Sequence, residues 1–63
     1  MKITMTRGGV LTLPGSLARF GAHLGVISPG CELTHVIKGG GLWKVNSSGS
    51  IYEHLGIIDR IEV

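Results

Sequence analysis

The chain holds a single cysteine, Cys31, among its 63 residues. No disulfide can therefore form within it, and a lone thiol without an export signal suits a reducing, cytoplasmic compartment. Aromatic residues are nearly as scarce: Phe20, Trp43 and Tyr52 are the whole set. They do not interleave with arginines, which excludes the base-stacking platforms of single-stranded nucleic-acid binders. Only 16% of the residues are charged. The carboxylates Glu32, Glu53, Asp59 and Glu62 form no spaced pair suited to acid–base catalysis. No apolar run approaches the roughly 20 residues of a membrane-spanning helix. No basic start leads into a long apolar stretch, so no secretory signal is expected.

What is present is apolar. Hydrophobic residues make up 43% of the chain, and the mean hydropathy is +0.36. A monomer of this length buries only about 60% of its unfolded surface and is marginally stable. Small chains of this kind draw on disulfides, a metal or a partner chain. With disulfides excluded, apolar surface hidden by a second copy is the expected solution, and a homodimer is predicted. The net charge of +2 permits nucleic-acid binding without demanding it. What matters is whether the basic residues share one face.

The order of elements follows from periodicity and punctuation. Residues 2–6 alternate apolar and polar, a strand pattern. Gly8-Gly9 marks a turn, Val10 to Leu13 a second short strand, and Pro14 its end. Leu17, Phe20 and Leu24 recur at helical spacing behind Ser16, a potential cap, and ahead of Gly25, a potential helix stop. Residues 16–24 are thus predicted as an amphipathic helix, with Gly21 a weak point inside it. Ser28-Pro29-Gly30 is a turn. Glu32 to Ile37 and Leu42 to Val45 are strands joined by a hairpin turn at Lys38-Gly39-Gly40-Gly41. Residues 46–49 form a polar joint, and Ser50 with Glu53 has capping-box spacing for one helical turn ending at Leu55-Gly56. Ile57 to Val63 fits either a last strand or a short helix.

This order and its residues resemble the swapped-hairpin domain of the AbrB, MazE and SpoVT transcription regulators and antitoxins. The resemblance is carried by Gly9-Val10-Leu11-Thr12-Leu13-Pro14, by Leu17, by Leu24-Gly25-Val26, by Pro29-Gly30 and by the hairpin from Leu33 to Val45. The chain departs from the family's usual pattern at Gly8, Val10, Ala18 and Cys31. The resemblance implies a mostly β fold with one short helix, ordered strand-strand-helix-strand-strand, in which two chains exchange hairpins to form a β-barrel dimer. The division would be a swapped-hairpin domain over 1–46 and a short C-terminal extension over 47–63. It also implies a small bacterial, archaeal or phage-encoded DNA-binding regulator or antitoxin, acting on double-stranded DNA.

On that reading Lys2, Arg7 and Arg19 form an N-terminal basic face that meets operator phosphates, and Thr12 adds a hydroxyl contact. The alternative is a small protein-binding module or inhibitor, of the phage or plasmid kind, that acts on a host protein without DNA. Its anchors would be Trp43, Tyr52, Leu55 and Ile58. Cys31 and His35, with His23 or His54, lack the local spacing of a structural zinc site. The glycine run at 39–41 lacks the lysine and helix of a phosphate loop. No metal, cofactor or catalytic residue is predicted, and no enzymatic activity.

Overall fold

The computed structural model describes residues 1–46 and 52–63. Among these residues there is no helix. Seven strands follow one another: β1 (Lys2–Met5), β2 (Val10–Thr12), β3 (Ser16–Phe20), β4 (His23–Ile27), β5 (Leu33–Lys38), β6 (Gly41–Val45) and β7 (Tyr52–Glu62). They form one open antiparallel sheet in the order β2-β1-β7-β6-β5-β4-β3. The mostly β expectation therefore holds, and so does the hairpin between β5 and β6. Lys38 pairs with Gly41 across a two-residue turn, and both turn glycines have positive φ, the combination a type I′ hairpin requires.

The helix expected over 16–24 is absent. Those residues lie in the β3–β4 hairpin, with Ser16 opposite Ile27 and Phe20 opposite His23. Gly21 and Ala22 are the turn. Gly21 has φ +61° while Ala22 is not left-handed, which matches a type II′ hairpin with glycine in its first central position. The glycine that weakens a helix is the residue that makes this hairpin. The apolar positions Leu17, Phe20 and Leu24 fit a helical period only because the chain reverses between them. The helical turn expected from Ser50 is also corrected in its described part, since Tyr52 to Leu55 are extended in β7. Ser50 itself and most of the polar joint, residues 47–49, lie outside the described residues.

β7 organises the molecule. Its first half pairs with β6, from Tyr52 opposite Val45 to Ile57 opposite Gly41. Its second half pairs with β1, from Ile58 opposite Met5 to Glu62 opposite Lys2. Two register shifts flank this change of partner. Leu55 is extra against β6, between the pairs Trp43–His54 and Leu42–Gly56. Asp59 is extra against β1, between Met5–Ile58 and Thr4–Arg60. Bulges bend and twist a strand. Eleven residues drawn straight would span about 33 Å, yet the longest dimension of the molecule is 28 Å. β7 is thus a corner strand that leaves one part of the sheet and enters the other.

The core sits in that corner. Ile3, Met5 and Leu42 are buried together, and Met1, Leu11, Leu13, Ile37, Ile58 and Ile61 pack on them. Ile3, Leu11 and Ile61 lie opposite one another across β2, β1 and β7. The alternate row, Thr12, Lys2 and Glu62, is exposed, as the period of two demands. The chain start is fixed too: the Met1 ammonium donates to Leu13 O at 2.9 Å, and Leu13 N–H donates to Met1 O at 2.8 Å.

Candidate functional site

The change of partner in β7 leaves half of a central strand uncovered. β1 reaches back along β7 only as far as the pair Met5–Ile58, with Thr6 N–H donating to Ile57 O at 2.9 Å as the last link. Then the chain turns away through Thr6, Arg7 and Gly8. Among the described residues, no strand lies against Tyr52 to Gly56 on the side opposite β6. A groove of about 600 Å³ occupies this place. Met5, Thr6, Arg7 and Gly9 form one bank, and His54, Leu55, Gly56 and Ile57 form the other. Arg7 brings it a positive charge, while Leu55 and Ile57, 36% and 48% exposed, make it apolar.

Two of the expected DNA contacts meet. Lys2 and Thr12 are cross-strand partners, both exposed, and Glu62 lies on the other side of Lys2. Arg60 Nε stands 3.8 Å from Glu62 Oε1, and both side chains are more than half exposed, so the pair adds little stability. Arg7 is in the turn beyond the opposite end of β1, at the groove. Arg19 is on β3, at the far edge of the sheet order. The three cations of the expected basic face thus lie on separate elements, and Lys2 faces a carboxylate.

The expected protein anchors divide. Ile58 belongs to the packing around Ile3 and Leu42. Leu55 lines the groove. Trp43 and Tyr52 share a smaller notch of about 80 Å³ with His23, Val36 and Lys38. Trp43 Nε1 donates to Lys38 O at 3.4 Å, and its ring lies 4.6 Å from that of His54, tilted by 54°. Met5, Thr6, Gly9, His54, Gly56 and Ile57 complete the groove, a grouping that the sequence does not show. The available signal was the exposed apolar pair Leu55 and Ile57 around Gly56, but the bulge at Leu55 hides its alternation.

One titratable side chain is tuned by its surroundings. His35 is half-buried on β5, opposite Lys44. Thr34 Oγ1 donates its proton to Val26 O at 3.2 Å. The 3.0 Å contact between Thr34 Oγ1 and His35 Nδ1 is therefore a donation from Nδ1–H, since a hydroxyl has one proton. Protonation would fall on Nε2. Burial, and secondly the ammonium of Lys44, hold the His35 pKa below its usual value of 6.5. The unfolded chain binds a proton there before the folded chain does. Stability is then full above pH 6.5 and declines as pH falls from there toward the lowered folded value. Urea unfolding at stepped pH should show this decline, and His35→Gln should flatten it. An unchanged profile in the variant would remove His35 as its cause.

Among the described residues, no three His, Cys, Asp or Glu side chains gather as a metal site. None of these residues forms a helix long and apolar enough to cross a membrane. Cys31 is exposed and occupies a left-handed conformation, φ +65°, at the β4–β5 turn. No protein-family model, curated protein or solved structure matches the chain.

Proposed function

We propose that this chain is a small protein-interaction module, not an enzyme, and that its working surface is the groove beside the uncovered half of β7. The observation that carries this reading is the backbone edge from Tyr52 to Gly56, which no strand among the described residues covers on the side away from β6, flanked by exposed Leu55 and Ile57 and by Arg7. An uncovered strand edge offers a row of N–H and C=O groups, and adding an extended segment satisfies them while side-chain pockets select it. The bulges of β7 hold this edge open in place. A photo-crosslinking residue at position 55 should give a protein adduct when the protein is expressed in cells. The same residue at the exposed position 44, on the next strand, should give none. Absence of any adduct at 55 would refute the groove as a protein-binding site.

The DNA-binding regulator is a second reading, favoured by the polar outer face of β1 and β2, where Lys2, Thr4 and Thr12 sit with Arg60 of β7. Phosphate contacts predict duplex binding that weakens steeply with salt, and anisotropy with duplex DNA across a salt series tests it. No binding at low salt would remove this reading. A homodimer is part of both. Hairpin exchange of the AbrB-like kind is one way to build it.

A further inference from the structure

We infer that one face of the β5–β6–β7 sheet is a binding site for single-stranded nucleic acid, with unpaired bases stacking on Tyr52 and Trp43 and a phosphate meeting Lys38. The site is separate from the β7 groove and does not rest on the protein-interaction reading above.

Phe20, Trp43 and Tyr52 are scattered along the chain and do not interleave with arginine. Strand pairing gathers two of them. Tyr52 lies opposite Val45, His54 opposite Trp43, and Trp43 opposite Val36. Tyr52 and His54 are two apart on β7, and Trp43 and Val45 are two apart on β6, so these side chains share one face. Trp43 and Tyr52 are then diagonal neighbours, about 7–8 Å apart along the backbone. The notch of about 80 Å³ that they share has buried Val36 as its floor and exposed His23 and Lys38 beside it.

The rings meet water in a fixed arrangement. Tyr52 is 48% exposed, and His54 is exposed as well. The half-buried indole of Trp43 is held by its donation to Lys38 O and by the His54 ring, 4.6 Å away. Gly41 makes room for that ring pair: a Cβ there would lie 2.9 Å from His54 Nε2 and 3.4 Å from Trp43 Nε1.

The charge at the notch has one sign. Lys38 supplies an ammonium, and no carboxylate among the described residues lines the notch. Glu53, between Tyr52 and His54, points to the opposite face, across from Lys44. Flat rings beside a cation suit a base and its phosphate, because every base has a π-face and stacking tolerates any sequence. An aliphatic protein anchor finds little here. The single aliphatic among the described residues of the notch, Val36, is 2% exposed.

Trp43 is the chain's one tryptophan, so its fluorescence reports on the site. The test is titration at low salt, and across a salt series, with oligothymidylate and with oligouridylate of about twelve nucleotides, a length such sites cover. At least one of the two should quench the emission saturably. Tyr52→Ala should weaken binding about tenfold, as expected for one stacked base, and Tyr52→Phe should restore it. Lys38→Gln should reduce the logarithmic salt slope by about 0.7, the share of one phosphate on a single strand. Both positions are exposed, and circular dichroism confirms the fold of each variant. No quenching by either oligonucleotide, a Tyr52→Ala variant that binds as tightly as the wild type, or an unchanged slope in Lys38→Gln would each overturn the proposal. Equal binding of a duplex of the same length would overturn it in favour of duplex phosphate contacts. Equal binding of polyglutamate would overturn it in favour of an acidic protein partner.

Discussion

Replacing Gly15 by alanine is expected to lower the unfolding free energy by about 2–3 kcal/mol, the upper range for forcing atoms into a packed site. A Cβ at this position would overlap the carbonyl oxygen of Ile27 and lie 2.9 Å from its carbon and 3.2 Å from Val26 Cγ1. The obstacle is backbone of β4, which a rotamer change cannot move aside. The adjacent pairing of Ser16 with Ile27 leaves the chain no room to retreat without losing the end of the β3–β4 ladder. A chain of this length has roughly 3–9 kcal/mol of stability in all, so the variant should unfold at much lower urea. The prediction also separates two folds. Were residues 16–24 a helix, alanine ahead of it would be harmless or favourable by its higher propensity. A Gly15→Ala variant as stable as the wild type would therefore contradict the hairpin.

Leu42→Ala is expected to cost about 3 kcal/mol, within the range for deleting a fully buried leucine side chain. Leu42 has no exposed surface and packs with Ile3 and Met5. Its position explains the size of the effect. Leu42 belongs to β6, in the long meander, whereas Ile3 and Met5 belong to β1, in the short hairpin. Apart from the β1–β7 ladder, this cluster joins the two parts of the sheet. A cavity there loosens the corner as well as removing buried methyl groups. Thermal unfolding should lose cooperativity or shift strongly downward, and amide exchange should rise first in Lys2 to Thr12. A loss below about 1 kcal/mol, typical of a peripheral site, would show that the ladder alone holds the corner.

The contrast between β5–β6 and β3–β4 shows what could be read locally. Leu33 to Val45 has clear strand segments and a Gly-Gly turn, so its hairpin was legible. Ser16 to Ile27 carries the same architecture, but its turn is Gly21-Ala22, and alanine is the best helix former. With Ser16 and Gly25 at cap-like positions, local signals pointed to a helix. Pairing of Leu17 with Val26 and Arg19 with Leu24 overrode them. β7 was illegible for another reason. Its bulges at Leu55 and Asp59 reset the alternation twice, so Tyr52, Leu55, Ile57, Ile58 and Ile61 follow no single period. The groove depends on that strand changing partners, and so it left no compact motif.

The amino-acid sequence by itself determined that this chain is mostly β and where the turns at Gly8, at Pro29-Gly30 and at Gly39-Gly40 fall. Period-two patterning and turn chemistry are local properties, carried by neighbours along the chain. Only the tertiary structure decided that residues 16–24 pair as a hairpin and that the tail enters the middle of the sheet. Those outcomes depend on which strands meet, and strand pairing joins residues as distant as Lys2 and Glu62, whose contact no local pattern records.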